Sequence, residues 1–281
     1  MLGRIHSPDE TRRAAEELHA AGLSNFNLDL MYALPGQDAS GALRDVREAL
    51  ALAPAHLSHY QLTLEPGTVF AAQPPPLPDE DIAADMLAAC AEALAQAGFA
   101  QYEVSAYARA GRQCRHNLNY WSFGDYLGVG AGAHGKLTDP AHGRIIRTTQ
   151  LRDPRRYQGA ADAALSRRAI PPSELPFEFM LNALRLVEGF ATTTFTARTG
   201  LELAAIAAPL ATAVQRGLVL DTAAGYRPSA LGLRFLNDTL LLFMAQTAKM
   251  SGNFGLSIAG NEAASVNPVA LFTGSGRSVG E

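Results

Sequence analysis

The sequence predicts an α/β protein with a smaller, mostly helical module near its C-terminal end. At the beginning of the chain, segments of helical period alternate with two segments of strand period, which favours a parallel sheet covered by helices. Further along, strand-like segments follow one another with no long helix between them, which favours antiparallel pairing. From Leu175 onward, short helical segments separated by glycines surround a single strand pair.

Composition narrows the class of protein. The chain has 281 residues, of which 48% are hydrophobic, and this is enough for a globular core. A net charge of −4 argues against a surface field that attracts nucleic acid or an anionic membrane. Two cysteines form no disulfide scaffold and indicate a reducing compartment. The first residues turn acidic too early for a signal peptide, and no apolar run approaches the ~18 residues of a membrane span. We therefore expect a cytoplasmic protein.

The first four elements alternate between helix and strand. Ser7 can cap a helix, Pro8 suits its first position, and Glu10 can close a capping box. In chain order the sequence predicts a helix to about residue 21, a strand over 26–31, a helix over about 40–52 and a strand over 56–65. This order predicts a parallel strand pair with right-handed crossovers, as in a closed or partial barrel.

Both strands alternate between apolar and polar side chains. If helices cover the apolar face, the polar side chains point inward near the carboxyl ends of the strands, where ligand sites form in barrels. The inward set is Asn27, Asp29, Gln61, Thr63 and Glu65. A hydrogen-bonded polar layer without a ligand is the alternative, and both interpretations stay open for Asp29 because a buried carboxylate needs a partner.

The middle of the chain combines a linker with helices and strands. The predicted elements are a stiff linker over 71–78, a helix over about 79–97, strands over about 101–108, 127–137 and 143–149, and a helix from Asp153 to about 166. We expect these strands to extend the sheet by antiparallel pairing. Cys90 lies on the apolar stripe of the helix over 79–97, so it is predicted to be an inert core thiol.

The C-terminal segment resembles a small winged-helix module. Its predicted elements are helices over about 175–187, 194–199, 203–216 and 229–243, with a strand pair around 218–227. Such modules often read DNA through a basic helix. Between Pro171 and Met244, however, five arginines stand against six acidic residues, which argues against DNA binding. Residues 245–281 are rich in Gly, Ser, Asn and Ala and are expected to lack order.

One segment, residues 102–137, carries most of the chemical information. It contains the only Trp, four of the eight Tyr and two of the seven His, and RHNLNYW (115–121) lies at its centre. An imidazole beside a guanidinium and two large rings can ligate a metal, pair with an acid and stack on a flat ligand. The alternative is an aromatic-rich β region whose rings fill a core.

Five separated motifs, in order, resemble one family. They are LGRIH (2–6), NLDLMYALPGQ (27–37), HYQLTLEP (59–66), YEVSAYA (102–108) and HNLNYW (116–121) with the glycine-rich segment after it. The chain from about residue 2 to 244 is similar to the HemW-type haem chaperones, which are radical-SAM proteins related to oxygen-independent coproporphyrinogen III oxidase. The resemblance implies that the chain binds haem and passes it to acceptor haemoproteins, whose identity it does not reveal.

The resemblance also implies an architecture with boundaries. Residues 1–70 would form the last third of a radical-SAM partial (β/α)6 barrel, which amounts to its last two strands. Residues 71–168 would add a linker helix and a β extension, and residues 169–244 a HemN-type, winged-helix-like α+β domain. Residues 245–281 would be a disordered tail.

Four residues around the central motif receive haem-binding roles from the resemblance. His116 matches the family's haem-binding motif and is the candidate ligand of the haem iron. Arg115 would pair with a propionate, while Tyr120 and Trp121 would stack on the haem. No residue is assigned as catalytic.

The intact family also binds S-adenosylmethionine and a [4Fe–4S] cluster. Arg4 and Asp29 match the residues that contact S-adenosylmethionine. The family's Cys-x3-Cys-x2-Cys loop has no counterpart, because the chain has only Cys90 and Cys114. We therefore expect an N-terminally truncated member that lacks the cluster half and performs no radical chemistry alone.

Other functions compete with haem transfer. The first is a radical-SAM enzyme of porphyrin biosynthesis, like oxygen-independent coproporphyrinogen III oxidase; the others are a non-functional fragment and a DNA-binding regulator. We expect no nucleic-acid partner. A peripheral membrane partner, without a membrane span, and a homodimer are left open.

Overall fold

The computed structural model describes residues 7–65, 67–160 and 164–250. Its helices are α1 (Pro8–Ala20), α2 (Ala39–Ala51), α3 (Val69–Ala72), α4 (Glu80–Gln96), α5 (Arg115–Trp121), α6 (Pro154–Gly159), α7 (Leu175–Ala183), α8 (Thr192–Thr199), α9 (Ala207–Gln215), α10 (Ala230–Arg234) and α11 (Leu236–Met250), with a 3-10 turn at Leu203–Ile206. Its strands are β1 (Asn27–Tyr32), β2 (His56–Gln61), β3 (Ala100–Glu103), β4 (Ala106–Ala108), β5 (His134–Asp139), β6 (Arg144–Gln150), β7 (Ala164–Ala169), β8 (Val219–Thr222) and β9 (Gly225–Pro228).

The first sheet has four strands in the order β1-β2-β4-β3. β1 and β2 run parallel, which confirms the predicted parallel pair, and the hairpin of β3 and β4 joins β2 in the antiparallel sense. Helices α2 and α4 pack on one face of this sheet, where Val46, Leu57 and Met86 are buried. Cys90 is also fully buried in this core, as predicted, and burial raises the pKa of its thiol to about 11.

The start of α1 follows the predicted capping box. The Ser7 hydroxyl accepts a hydrogen bond from the backbone N–H of Glu10 at 3.3 Å, and the Ser7 N–H donates to the Glu10 carboxylate at 2.7 Å. Two of the N–H groups that a helix start leaves unpaired are therefore satisfied by local sequence alone.

The prediction of which β2 side chains share a face with Asn27 and Asp29 is wrong by one residue. In the parallel register Asp29 lies opposite Ser58, so the polar side chains of β1 share their face with His56 and Ser58. Gln61 lies opposite Tyr32, on the other face of the sheet. The strand ends there, so two further members of the predicted inward set lie beyond its end, Thr63 and Glu65.

The error has a physical cause in the burial of β2. Its first four residues are buried whether they face one side or the other, so alternation of polarity does not reveal the face. His59 lies on the helix-covered side because its ring stacks on Tyr32 with centroids 4.7 Å apart. An aromatic contact therefore accommodates an imidazole where the pattern predicts an aliphatic side chain.

The second sheet consists of β5, β6 and β7 and is separate from the first. All its pairs are antiparallel, as predicted for this region, but its strands do not extend the first sheet. β5 begins only at His134, and residues 164–169 form a strand where a helix is predicted to end. The long-range pairing of β7 with β6 outweighs the local helical pattern after α6.

The C-terminal part packs α7, α8, α9 and α11 around a core that includes Phe179, Phe195 and Ile206, all fully buried. Phe123 and Ile145, from earlier in the chain, belong to the same core. Helix α11 continues to Met250, so residues 245–250, which were predicted to belong to a disordered tail, are helical. Residues 251–281 lie outside the described residues. Across the described ranges, no helix has the length and apolarity needed to cross a membrane.

Candidate functional site

The central motif forms the seven-residue helix α5, not the β region considered as its alternative. Its N-cap residue, Cys114, provides no side-chain capping bond, and a helix this short is marginal by itself. Tertiary contacts hold it instead. Leu118 and Cys114 pack against Tyr102 and its neighbours in the β3–β4 hairpin, and Trp121 anchors the last turn with only 4% of its surface exposed.

His116 and Arg115 lie at the start of α5 with exposed side chains. Neither side chain makes a hydrogen bond or an ion pair with any residue that the structure describes. An exposed imidazole can coordinate a metal, and an exposed guanidinium can take a carboxylate in bidentate fashion. The structure thus leaves the two polar groups that sequence analysis selected accessible to a ligand.

The two rings at the end of α5 differ in accessibility. Tyr120 is half-buried, and its ring lies 4.9 Å from Trp121 and 4.9 Å from Tyr126. The buried Trp121 ring is covered by the guanidinium of Arg185, 4.3 Å from its centroid. A ligand stacked on this ring would have to displace Arg185. The expectation that Trp121 stacks on haem therefore does not fit this structure, and its ring instead anchors the helix.

Arg185 also joins this anchor to the first sheet. Its guanidinium lies 3.6 Å from the carboxylate of Glu103, which is 2% exposed. Burial raises the pKa of Glu103, and the positive charge of Arg185 opposes that rise. Neither residue is marked by a local sequence pattern, and the two are 82 positions apart, so the pair is not predictable from the sequence.

A chain of hydrogen bonds leads from the polar face of β1 to α5. The Asn27 side chain donates to Asp29 at 2.8 Å and faces the Nδ1 atom of His56 at 2.6 Å. The Nε2 atom of His56 lies 2.8 Å from the hydroxyl of Tyr102, which accepts a hydrogen bond from the Asn117 amide at 3.1 Å. The network connects the predicted Asp29 position with the residue that directly follows His116.

His56 and Tyr102 were not predicted as functional residues. The correct face of β2 would have suggested His56, because it lies opposite Asn27 in the register. Burial lowers the pKa of His56, which therefore favours the neutral ring inside the network. Burial likewise raises the pKa of Tyr102, so its hydroxyl stays protonated and able to donate.

The remaining predicted positions lie apart from α5. Asp29 is exposed, and Arg4 lies outside the described residues. A shallow depression of about 270 Å³ beyond the end of β2 is lined by Thr63, Glu65 and neighbouring residues of 68–70. Among the described residues, no hydrogen bond connects this depression with α5.

The residues present do not fit a [4Fe–4S] cluster. Such clusters need three or four cysteine thiolates, whereas the whole sequence has two cysteines. Cys90 is buried in the core under α4, and Cys114 is half-buried at the start of α5. Within the described ranges no three His, Cys, Asp or Glu side chains form a group that could hold a metal ion.

Comparison with known proteins identifies relatives. Residues 170–235 match the family described as the HemN C-terminal domain. The heme chaperone HemW of Escherichia coli (strain K12) is 47% identical over 245 residues, which are 87% of this chain and 64% of that protein. The heme chaperone HemW of Haemophilus influenzae is 43% identical, over 87% of this chain and 63% of that protein. The chain thus spans less than two thirds of the length of these relatives.

Two further matches, one of sequence and one of structure, are to radical SAM proteins. Radical S-adenosyl methionine domain-containing protein 1, a mitochondrial protein of Mus musculus, is 40% identical over 54% of this chain and 35% of that protein. The solved structure of coproporphyrinogen III oxidase (HemN) from Escherichia coli, a radical SAM enzyme, has a TM-score of 0.67 over 86% of this chain and 60% of that chain. Because its sequence identity is 18%, this likeness concerns the fold alone.

Proposed function

We infer that this chain, which is homologous to the HemW haem chaperones, binds haem at α5 and passes it to acceptor haemoproteins. The observation that carries the proposal is the exposed imidazole of His116, beside the exposed guanidinium of Arg115, on a helix anchored by a buried ring. Haem needs an axial ligand for its iron and a cation for its propionates, and these two side chains have that chemistry. Haem is the cargo in this proposal.

Four side chains of α5 have separate roles in the proposal. His116 coordinates the haem iron, and Arg115 pairs with a propionate. Tyr120 contributes the accessible part of its half-buried ring to the porphyrin plane, which is worth about 0.5–1.5 kcal/mol beyond burial of area. Trp121 holds the helix in place. Handover is easiest for a ligand bound at an exposed helix, because an acceptor can approach without unfolding of the chaperone.

Haem titration followed by Soret absorbance tests the proposal. Loss of the iron ligand in His116→Ala should weaken binding about tenfold or more, and Arg115→Gln should weaken it about threefold to tenfold. The matched control is His142→Ala, which removes an exposed imidazole from the turn between β5 and β6. Equal haem affinity in wild type and His116→Ala would remove His116 as the ligand.

The same proposal includes two features of the family's architecture, a partial barrel and a winged-helix-like module. The parallel pair β1–β2, with helices on one face, is what the last third of a radical-SAM partial barrel requires. Helices α7 to α9 followed by the β8–β9 hairpin have the order of a winged-helix-like module.

S-adenosylmethionine is proposed to contact Asp29 together with Arg4. The Asp29 carboxylate is exposed and accepts one hydrogen bond from Asn27, so it can also accept one from the amine or the ribose of this ligand. Calorimetric titration of Asp29→Asn against Asp81→Asn, an exposed acid on α4, tests this contact. Equal affinity in both variants would contradict it.

An enzymatic role as a radical-SAM oxidase finds no support in the side chains of this chain. When bound, the cluster and S-adenosylmethionine supply radical chemistry, but two cysteines do not hold such a cluster. Anaerobic reconstitution with iron and sulfide should therefore produce no broad iron–sulfur absorbance. A homodimer and a peripheral membrane partner stay open, and light scattering and vesicle flotation would measure them.

A further inference from the structure

We propose that Tyr102 and His56 are positioning residues for haem binding, because their hydrogen bonds fix α5, which carries His116, to the polar face of the first sheet. This inference rests on the proposed function of α5. Neither residue is expected to touch the haem. Both are buried in the described structure, with 4% of Tyr102 and 5% of His56 exposed.

The direction of each hydrogen bond in the network follows from chemistry. The Asn27 amide nitrogen donates to Asp29, so its oxygen faces His56 and can only accept. The Nδ1 atom of His56 must therefore carry the proton. In the neutral ring Nε2 then accepts, so the Tyr102 hydroxyl donates to it and keeps its lone pairs for the Asn117 amide.

Few local interactions fix the position of α5. It has only seven residues, and Cys114 gives it no side-chain cap. Of its polar side chains, Asn117 makes the bond to Tyr102, while Asn119 bonds the backbone of Asp125 beyond the helix end. Besides the apolar packing of Cys114 and Leu118, the Tyr102 hydroxyl is therefore the hydrogen-bonding contact between the beginning of α5 and the sheet, and His116 is the residue just before Asn117.

The other end of the network reaches the residue proposed to contact S-adenosylmethionine. Asn27 is shared, because its nitrogen bonds Asp29 while its oxygen bonds His56 and accepts a bond from Ser58 at 3.2 Å. A change at Asp29 that turns the Asn27 amide would thus reverse donor and acceptor toward His56. The geometry gives a physical connection between Asp29 and the first turn of α5.

Two variants break the network from opposite sides. Tyr102→Phe removes only the hydroxyl, and Asn117→Ala removes the amide from a half-buried position that is not part of a core. The matched control is Tyr107→Phe, which removes another buried tyrosine hydroxyl from the same hairpin, on the opposite face of the sheet. Haem affinity, the Soret band at saturating haem, and hydrogen exchange of the α5 amides are measured for each.

We expect about threefold to tenfold weaker haem binding in Asn117→Ala, which loses one hydrogen bond, and at least as large a loss in Tyr102→Phe, which loses the bonds to both His56 and Asn117. Exchange of the α5 amides should accelerate by a similar factor without haem. At saturating haem, the Soret band should show a smaller histidine-ligated fraction than wild type, an effect that general loss of stability does not produce. Tyr107→Phe should match wild type in all three measurements.

The outcomes separate this proposal from the proposed function. If His116→Ala weakens haem binding but Tyr102→Phe and Asn117→Ala bind like wild type, the positioning role is overturned and haem binding stands. If wild type binds no haem, the proposed function fails, and the positioning role in haem binding fails with it. If Tyr102→Phe does not fold, Asn117→Ala decides. Weaker binding without faster exchange of α5 also overturns the proposal.

Discussion

The buried imidazole of His59 should make the stability of this protein fall in mild acid. Its ring lies in the core between Tyr32 and Tyr107, is 2% exposed, and has no hydrogen-bond partner at Nδ1 among the described residues. Burial lowers the pKa of His59 from 6.5 to about 4. The unfolded chain therefore takes up a proton at this site at a higher pH than the folded chain does.

The sign and the size of the effect follow from this difference. The stability that depends on neutral His59 is fully present above the pKa of 6.5 in the unfolded chain, and it is lost as the pH falls toward the pKa of about 4 in the folded chain. Each pKa unit corresponds to about 1.4 kcal/mol, so the full loss is roughly 3 kcal/mol. At about pH 5, most of it, about 2 kcal/mol, should already be visible. His56 acts in the same direction, because burial also lowers its pKa.

Urea unfolding followed by circular dichroism, at about pH 7 and about pH 5, measures this loss. His59→Phe keeps the ring contact and His59→Gln keeps polarity, but neither can be protonated there. Both should therefore lose about 2 kcal/mol less than wild type between the two pH values, whatever their stability at neutral pH. An acid loss equal to that of wild type in both variants would refute the argument.

Three more predictions concern stability in urea. Lys136→Ala should lower the free energy of unfolding by about 2–4 kcal/mol, because it removes a buried side chain whose ammonium pairs with Asp125 at 2.9 Å. Lys136→Met keeps the side-chain volume and should lower it by less than half as much. Gly189→Ala should lower the free energy of unfolding by at least about 3 kcal/mol, since its φ is +66° and a Cβ would lie 2.0 Å from a backbone oxygen. Gly22→Ala should lower it by about 1 kcal/mol, since Gly22 has a φ of +79° but no atom near its Cβ position. Similar losses in the two variants would contradict the predicted clash. Ser7→Ala should cost about 1 kcal/mol through loss of the capping box, and Ser7→Asn should recover most of it.

The regular elements at the start of the chain were predictable because local chemistry determines them. The capping residues of α1 are adjacent in sequence, and the spacing of apolar residues in α4 selects Cys90 as a core residue. The parallel pairing of β1 and β2 followed from the alternation of helix and strand. In these cases local preference and tertiary packing favour the same structure.

The errors occur where distant partners decide. β7 forms a strand because β6 is available to pair with it, and the sequence around residue 164 contains no sign of this. Helix α5 is too short for a periodic signal and depends on Trp121, whose partner Arg185 lies in another part of the chain. The face of β2 was predicted wrongly because histidine counts as a polar residue in a sequence pattern, whereas the His59 ring lies in the core and stacks on an aromatic ring.

The candidate site was predictable in part. Composition alone drew attention to His116 and Arg115, and both are accessible in the structure. Strand alternation predicted Asp29 as a candidate ligand residue and the resemblance assigned S-adenosylmethionine to it, but no local pattern connects it with α5. That connection depends on His56 and Tyr102, which are 46 positions apart and become neighbours only through the register of the sheet.

The shared core of Phe123 and Phe179 limits how this protein can be divided. Their rings meet edge to face with centroids 5.7 Å apart, although one follows α5 and the other belongs to α7. A chimaera that exchanges only residues after 169 would set a foreign surface against Phe123 and open a cavity there, at a cost of several kcal/mol. Successful transplantation of the C-terminal helices should therefore require Phe123 and Ile145 to travel with them.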